Sequence, residues 1–184
     1  MADLTGFRVA VVATDGFEET ELTEPVAALR DAGARVTILA PERGRIQGVR
    51  HDLDKTLQVE VDRALGDVDV ADFDAVHLPG GAVNADSLRM EPEVQAFLQA
   101  LQAAGKPFSV ICHAPWELVS AGLVRGRTLT SYPSIQDDIR NAGGQWVDRE
   151  VVEDDNWVTS RKPDDLPAFT QAMLALFARS REAR

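Results

Sequence analysis

Four stretches of the chain are apolar almost without interruption, at positions 7–13, 35–40, 73–78 and 108–111. Runs that do not alternate with polar residues predict strands buried on both faces, as in a parallel sheet. Between the first two, Leu22, Val26, Leu29 and Ala32 recur at helical spacing and Gly33 supplies the stop. The spacing predicts a helix with Pro25 in its first turn, where a missing N–H costs nothing. Strand, helix and strand over 7–40 form a βαβ unit with a right-handed crossover. Further helices are predicted at 92–104, closed by Gly105, and at 115–121, with Pro115 at an early position. The last, at 166–178, puts Phe169, Met173, Leu174 and Phe177 on one face.

The remaining segments are shorter. Positions 44–61 alternate in patches around Gly48 with no helical period, which reads as a short hairpin or edge excursion. A short strand is predicted at 128–131. Ser134, with Asp137 three residues on, has the spacing of a capping box. Segments 146–152 and 156–160 are expected to pair as a hairpin around Asp154-Asp155. No linker, low-complexity tract or repeat divides positions 1–184. The fold class is therefore α/β, one doubly wound domain with helices on both faces of a mostly parallel sheet.

Charge and cysteine content narrow the function classes. Lys plus Arg number 19 against 30 Asp plus Glu, a net charge of −11. No clustered basic residues exist to neutralise phosphates, so no nucleic-acid partner is expected. No apolar run reaches the roughly 20 residues of a membrane span. The first residues carry acid and lead directly into a strand, unlike a secretory signal, so the cytoplasm is the expected compartment. A single Cys excludes an intrachain disulfide and any multi-thiolate metal site. Three His without ligand spacing argue for no metal and no cofactor.

In open α/β sheets, ligands gather beyond the carboxyl ends of the strands. Three loops answer that description, at 15–21, 79–86 and 112–116. Cys112 ends one strand and a helix begins within three residues, so it lies on a tight strand-to-helix elbow near a helix N-terminus, where a thiolate is favoured. A buried, inert Cys is the bland alternative. The adjacent His113 and the converging loops weigh against it. Gly80 and Gly81 end another strand, and their backbone N–H groups, with that of His113, have the makings of an oxyanion hole. Of Glu18, Glu19 and Glu21, one is expected to point across the strand ends toward the elbow and titrate together with the thiol. His51 and His77 read as structural.

With these residues placed, the chain resembles the ThiJ/PfpI superfamily, which has the class I glutamine-amidotransferase-like fold. The matching stretches are the acidic loop of 13–22, Leu78-Pro79-Gly80-Gly81, and Ser109-Val110-Ile111-Cys112-His113-Ala114-Pro115. Three later ones, at 130–138, 141–144 and 156–161, resemble the PfpI-type branch of intracellular proteases and general stress proteins. The resemblance implies a flavodoxin-like three-layer α/β/α sandwich. It makes Cys112 the nucleophile in a strained backbone, Glu21 the acid hydrogen-bonded to its sulfur, and His113 the partner. It also implies an acid donated by a neighbouring subunit, for which Asp86 is the nearest match, one residue out of register. A homo-oligomer follows, a dimer before a hexamer.

The activities this implies are detoxification of reactive carbonyls in the manner of a glyoxalase or deglycase, redox chemistry at Cys112, and cysteine peptidase action completed across a dimer interface. Small carbonyls or damaged proteins are the implied substrates. Carbonyl chemistry fits well, since thiolate addition to an aldehyde needs no leaving group. A peptidase needs a groove and general-acid help for an amine, and an amidotransferase needs a distant His that the last helix lacks.

Overall fold

The structure is a computed structural model that describes residues 2–183. Its strands are β1 (Arg8–Val12), β2 (Phe17–Glu18), β3 (Arg35–Ala40), β4 (Arg45–Arg50), β5 (Asp54–Glu60), β6 (Arg63–Ala64), β7 (Ala75–Leu78), β8 (Phe108–Ile111), β9 (Thr128–Leu129), β10 (Gln145–Trp146), β11 (Val151–Asp154) and β12 (Trp157–Ser160). The helices are α1 (Glu19–Asp31), α2 (Ala82–Arg89), α3 (Pro92–Ala103), α4 (Pro115–Ser120), α5 (Gln136–Asn141) and α6 (Leu166–Glu182). The main sheet has the order β11-β12-β8-β7-β1-β3-β6, and only β11 against β12 is antiparallel.

Both faces of this sheet are covered, and the strand period of two shows it. In β1, Ala10 and Val12 join the core beneath α2, α3 and α4, while Val9 packs toward α6 and Val11 toward α1. From β1 the chain builds outward through β3 on one side, then returns to build β7, β8 and β12 on the other. The order therefore reverses between β1 and β7, which makes the crevice at their carboxyl ends the switch point where α/β sheets place ligands. Parallel register aligns Val11 with His77 and Leu78 with Val110, so the loops after β1, β7 and β8 leave the sheet side by side.

Several expectations change. Pro25 lies inside a helix that already begins at Glu19, not in its first turn. The stretch after Gly81, read as loop through 86, is largely α2. Trp146 does not belong to the β11–β12 hairpin; β10 pairs with β9 in a separate ribbon. Ser134 caps nothing: α5 has no side-chain cap and starts after a 3₁₀ turn at Pro133–Ile135. Leu174 is only half-buried, whereas Phe169, Met173 and Phe177 are core. The 44–61 excursion is the β4–β5 hairpin, and its β4 pairs with β2 in a small sheet beside the crevice. No helix among the described residues is long and apolar enough to cross a membrane.

One buried group stands outside this economy. Glu117 on α4 is completely buried, and neither carboxyl oxygen has a hydrogen-bond partner among the described residues. Burial alone pushes it well above the ordinary 4.5, so the folded state keeps a proton that the unfolded chain releases. The folded state thus binds more protons above pH 4.5, and stability falls as pH rises, at about 1.4 kcal/mol per pH unit from this group. Glu117→Leu should raise stability at pH 7 by about 1–3 kcal/mol, because an unpaired polar group is removed. Urea denaturation at several pH values from 5 to 8 checks this, and the variant should lose less stability than the wild type as pH rises.

Candidate functional site

Cys112 follows β8 with φ of 64°, a left-handed conformation that non-glycine residues rarely adopt. Two contacts hold it there: its N–H donates to the Ser160 carbonyl (3.1 Å), and its own carbonyl accepts from the Tyr132 N–H (2.8 Å). The bent backbone turns the neighbouring imidazole back onto the sulfur. Sγ lies 3.2 Å from His113 Nδ1, so adjacent residues form a Cys–His pair that an ordinary strand would keep apart. Strain of this kind concentrates at functional sites.

His113 is held on several sides. Its ring stacks on Tyr132, with centroids 4.6 Å apart, and Trp116 lies at 5.5 Å. Nε2 meets Ser134 Oγ at 3.3 Å. Burial lowers the imidazole's proton affinity, with the charge of Asp52 opposing, so the ring is neutral near pH 7. Asp86 is exposed on α2, and among the described residues no hydrogen bond joins it to His113 within the chain.

Glu21 is the acid that points across. It lies on α1, fully buried, and its Oε2 accepts from the Gly80 N–H at 2.9 Å while the carboxyl lies against the Cys112 sulfur. Burial, then the charge of Glu18, hold its carboxyl well above the usual range, so Glu21 carries its proton. Glu18 is raised too, chiefly by burial, while the N–H groups of Asp52 and His51 oppose that rise. Glu19 instead reaches outward to Arg50.

Two expectations about this site need correction. Gly80 does not offer an oxyanion donor, because its N–H is already taken by Glu21; the N–H groups that face the sulfur are those of Gly81 and His113. The thiol is not a low-pKa thiolate at rest. Burial pushes Cys112 up, more than those two N–H groups pull it down. The helix expected to stabilise a thiolate, α4, is a mere six residues and opens with Pro115, which has no N–H to give. The resting site is therefore three neutral groups: a thiol, an imidazole and a carboxylic acid.

Residues without an obvious chemical signal complete the arrangement. Asn84, fully buried, donates to the carbonyls of Pro79 and Gly80 and accepts from the Thr14 N–H, clamping the glycine turn to the β1 loop. Asp52 comes from the tip of the β4–β5 hairpin. Its Oδ1 caps the Ala82 N–H at 2.7 Å, and its charge is felt at Glu21, Cys112 and His113. His51 and Asp52 are both left-handed without being glycine, a local cost that marks the tip as a built feature.

The glycine turn is where tolerance is least. A Cβ on Gly80 would run into Glu21 Oε2 and come within 2.5 Å of the Cys112 Cβ. Gly80→Ala should therefore drive the carboxyl and the thiol apart at a cost of about 1–3 kcal/mol in stability. Iodoacetamide labelling of Cys112 on the folded variant should show a changed pH profile. A wild-type profile together with a wild-type denaturation midpoint would show that the turn has room to spare.

The comparisons with known proteins follow this geometry. A model of the DJ-1/PfpI family matches residues 7–176. General stress protein 18 of Bacillus subtilis is 42% identical over 173 residues, covering 93% of this chain and 98% of that protein. Deglycase TK1284 of Thermococcus kodakarensis is 40% identical over 169 residues, covering 92% and 98%. Among solved structures, Drosophila melanogaster DJ-1beta aligns with a TM-score of 0.85 at 30% identity, over 97% of this chain and 95% of that one. With the elbow cysteine, the buried acid and the glycine turn in place, the chain belongs to the DJ-1/PfpI family.

Proposed function

We propose that this protein removes reactive carbonyls, adding the Cys112 sulfur to an aldehyde, either free as an α-oxoaldehyde or carried on a damaged protein. The observation that carries this reading is the sulfur's position between two neutral proton carriers, His113 Nδ1 at 3.2 Å and the Glu21 carboxyl. Relatives named as a deglycase and a general stress protein support it. A lone free Cys suits a reducing cytoplasm.

The chemistry follows from the charge states. When a carbonyl approaches, His113 Nδ1 accepts the thiol proton and the sulfur forms a bond to the aldehyde carbon. The carbonyl oxygen becomes an alkoxide and takes the Glu21 proton, giving a hemithioacetal. With an α-oxoaldehyde, Glu21, now a carboxylate, carries the proton from the former aldehyde carbon to the neighbouring ketone carbon. The hydroxyl proton passes to the former ketone oxygen as a thioester forms. One carbon is oxidised and its neighbour reduced, so no external oxidant is needed. Water then adds its hydroxyl to the thioester carbon and gives its proton to Glu21, and His113 returns its proton to the departing sulfur, so a 2-hydroxy acid is released.

A peptidase asks for more. Its imidazolium must be oriented by an acid and must protonate a departing amine, but within the chain His113 Nε2 faces a serine hydroxyl. Asp86, exposed on α2, is available to a second copy, and a dimer that seats it on Nε2 would supply that acid. On this reading Asp86→Asn should abolish any casein cleavage by the dimer and leave methylglyoxal turnover within about twofold. Analytical ultracentrifugation of the wild type gives the assembly. A monomer with full peptidase activity would remove the shared site.

The main reading is tested by incubating wild type, Cys112→Ser and Glu21→Gln with methylglyoxal, casein and peroxide in parallel. Methylglyoxal loss should fall by at least about a hundredfold in both variants, the scale of losing a positioned acid–base group. Peroxide should add about 32 Da to the Cys112 peptide of the wild type, two oxygens on the sulfinate step. Casein cleavage should be weak throughout. Methylglyoxal loss that survives in Cys112→Ser would sink the proposal.

A further inference from the structure

His77 has no place in the chemistry above, yet it is the most deeply buried imidazole in the protein. It sits inside β7 with no solvent exposure, and the Phe169 ring of α6 lies 6.0 Å away. Nε2 is 2.8 Å from the backbone carbonyl of Glu21, and Nδ1 is 3.0 Å from Ser109 Oγ. A carbonyl only accepts, so Nε2 must carry the hydrogen. Nδ1 is then the acceptor, and the Ser109 hydroxyl donates to it. Burial lowers the ring to about 4, which keeps it neutral and this tautomer in force near pH 7.

The Glu21 carbonyl is free to accept for a reason written four residues later. In an uninterrupted helix it would receive the N–H of residue 25. That residue is Pro25, inside α1, and it has no N–H. A proline in a helix interior normally leaves such a carbonyl stranded; here the His77 ring fills the gap from the neighbouring strand. The same ring holds β8 through Ser109, three residues before Cys112, and belongs to the strand that delivers Gly80 three residues after it. One side chain thus ties together the three segments that carry the acid, the glycine turn and the nucleophile.

We infer that His77 is a positioning residue, whose Nε2–H occupies the carbonyl that Pro25 leaves open and so fixes the Glu21 carboxyl against Gly80 and Cys112. The inference rests on Glu21 acting as the proton carrier at the sulfur. It goes beyond that reading by assigning the device that holds Glu21 in place and the proline that makes the device necessary.

The test compares His77→Leu, His77→Asn and His77→Gln, with the pH profile of Cys112 alkylation by iodoacetamide as readout and circular dichroism as the check on folding. Gln carries its amide N–H near the Nε2 position and should keep the wild-type profile. Asn reaches only the Nδ1 side and should behave as Leu does, shifting the midpoint upward by about one pH unit as the sulfur loses its ordered acid. Methylglyoxal turnover should fall roughly tenfold in both, the scale of a slightly misplaced group. Adding Pro25→Ala to His77→Leu returns an N–H to the Glu21 carbonyl and should bring the midpoint back toward wild type. In a Glu21→Gln background, His77→Leu should shift nothing further.

If His77→Leu does not fold, the Asn–Gln contrast alone decides. Profiles that coincide for Asn, Gln and wild type, or a Pro25→Ala second change that gives no recovery in a folded His77→Leu protein, would overturn the assignment. Alkylation does not depend on carbonyl turnover. A shifted profile in a protein inert toward methylglyoxal would therefore sustain the role of His77 and discard the proposed function.

Discussion

The hydrogen bond from the Gly80 N–H to Glu21 Oε2, made where no water reaches, is the constraint around which the rest of the crevice is arranged. A carboxyl placed so deep stays neutral unless positive charge is brought to it, and none is. The turn that meets it can have no Cβ, because the acid and the elbow cysteine already fill that space. Asn84 then holds the turn from behind through two carbonyls, and the strained Cys112 backbone delivers the sulfur from the other side. Each feature makes sense only in the presence of the others. The switch point between β1 and β7 supplies the room, and these contacts give it a shape.

Neutrality has consequences for chemistry. A thiolate at rest would have been reactive toward any electrophile or oxidant that arrived. Here burial keeps the proton on sulfur, and the imidazole 3.2 Å away removes it as an electrophile, a carbonyl or a peroxide, arrives to take up the electrons. The two N–H groups that face the sulfur, from Gly81 and His113, favour charge but do not outweigh burial.

Much of this was legible in the chain. Near-continuous apolar runs gave the strands, because a strand covered on both faces leaves few positions for a polar residue. The strand ends then located the crevice, and Cys112, Glu21 and the glycine pair fell within it. What escaped has identifiable causes. Helix α2 reads Ala-Val-Asn-Ala-Asp-Ser-Leu-Arg, with too few apolar positions to display a period. Asp52 reaches the site from a hairpin tip some 30 residues before α2, a juxtaposition created by β4 pairing with β2 rather than by spacing. Ser134 had the sequence of a cap and the role of a partner to His113, since a hydroxyl serves either purpose. The thiol's charge state is not legible in the chain, because a helix start is visible in a sequence and the depth of burial that outweighs it is not.

Pro25 shows most directly how an apparent exception can carry information. Placed in a first turn, it would have been silent. Inside α1 it removes one donor from the ladder, at the carbonyl of Glu21. A carbonyl so exposed in the core has to be met by a donor from outside the helix, and the neutral imidazole of His77 meets it at 2.8 Å. A helix that kept its own hydrogen bond at that position would leave the His77 N–H without this acceptor and β7 without this attachment to α1. The break in the helix therefore joins the acid's backbone to the sheet, and that attachment gives a carboxyl on a separate element a fixed place beside the sulfur.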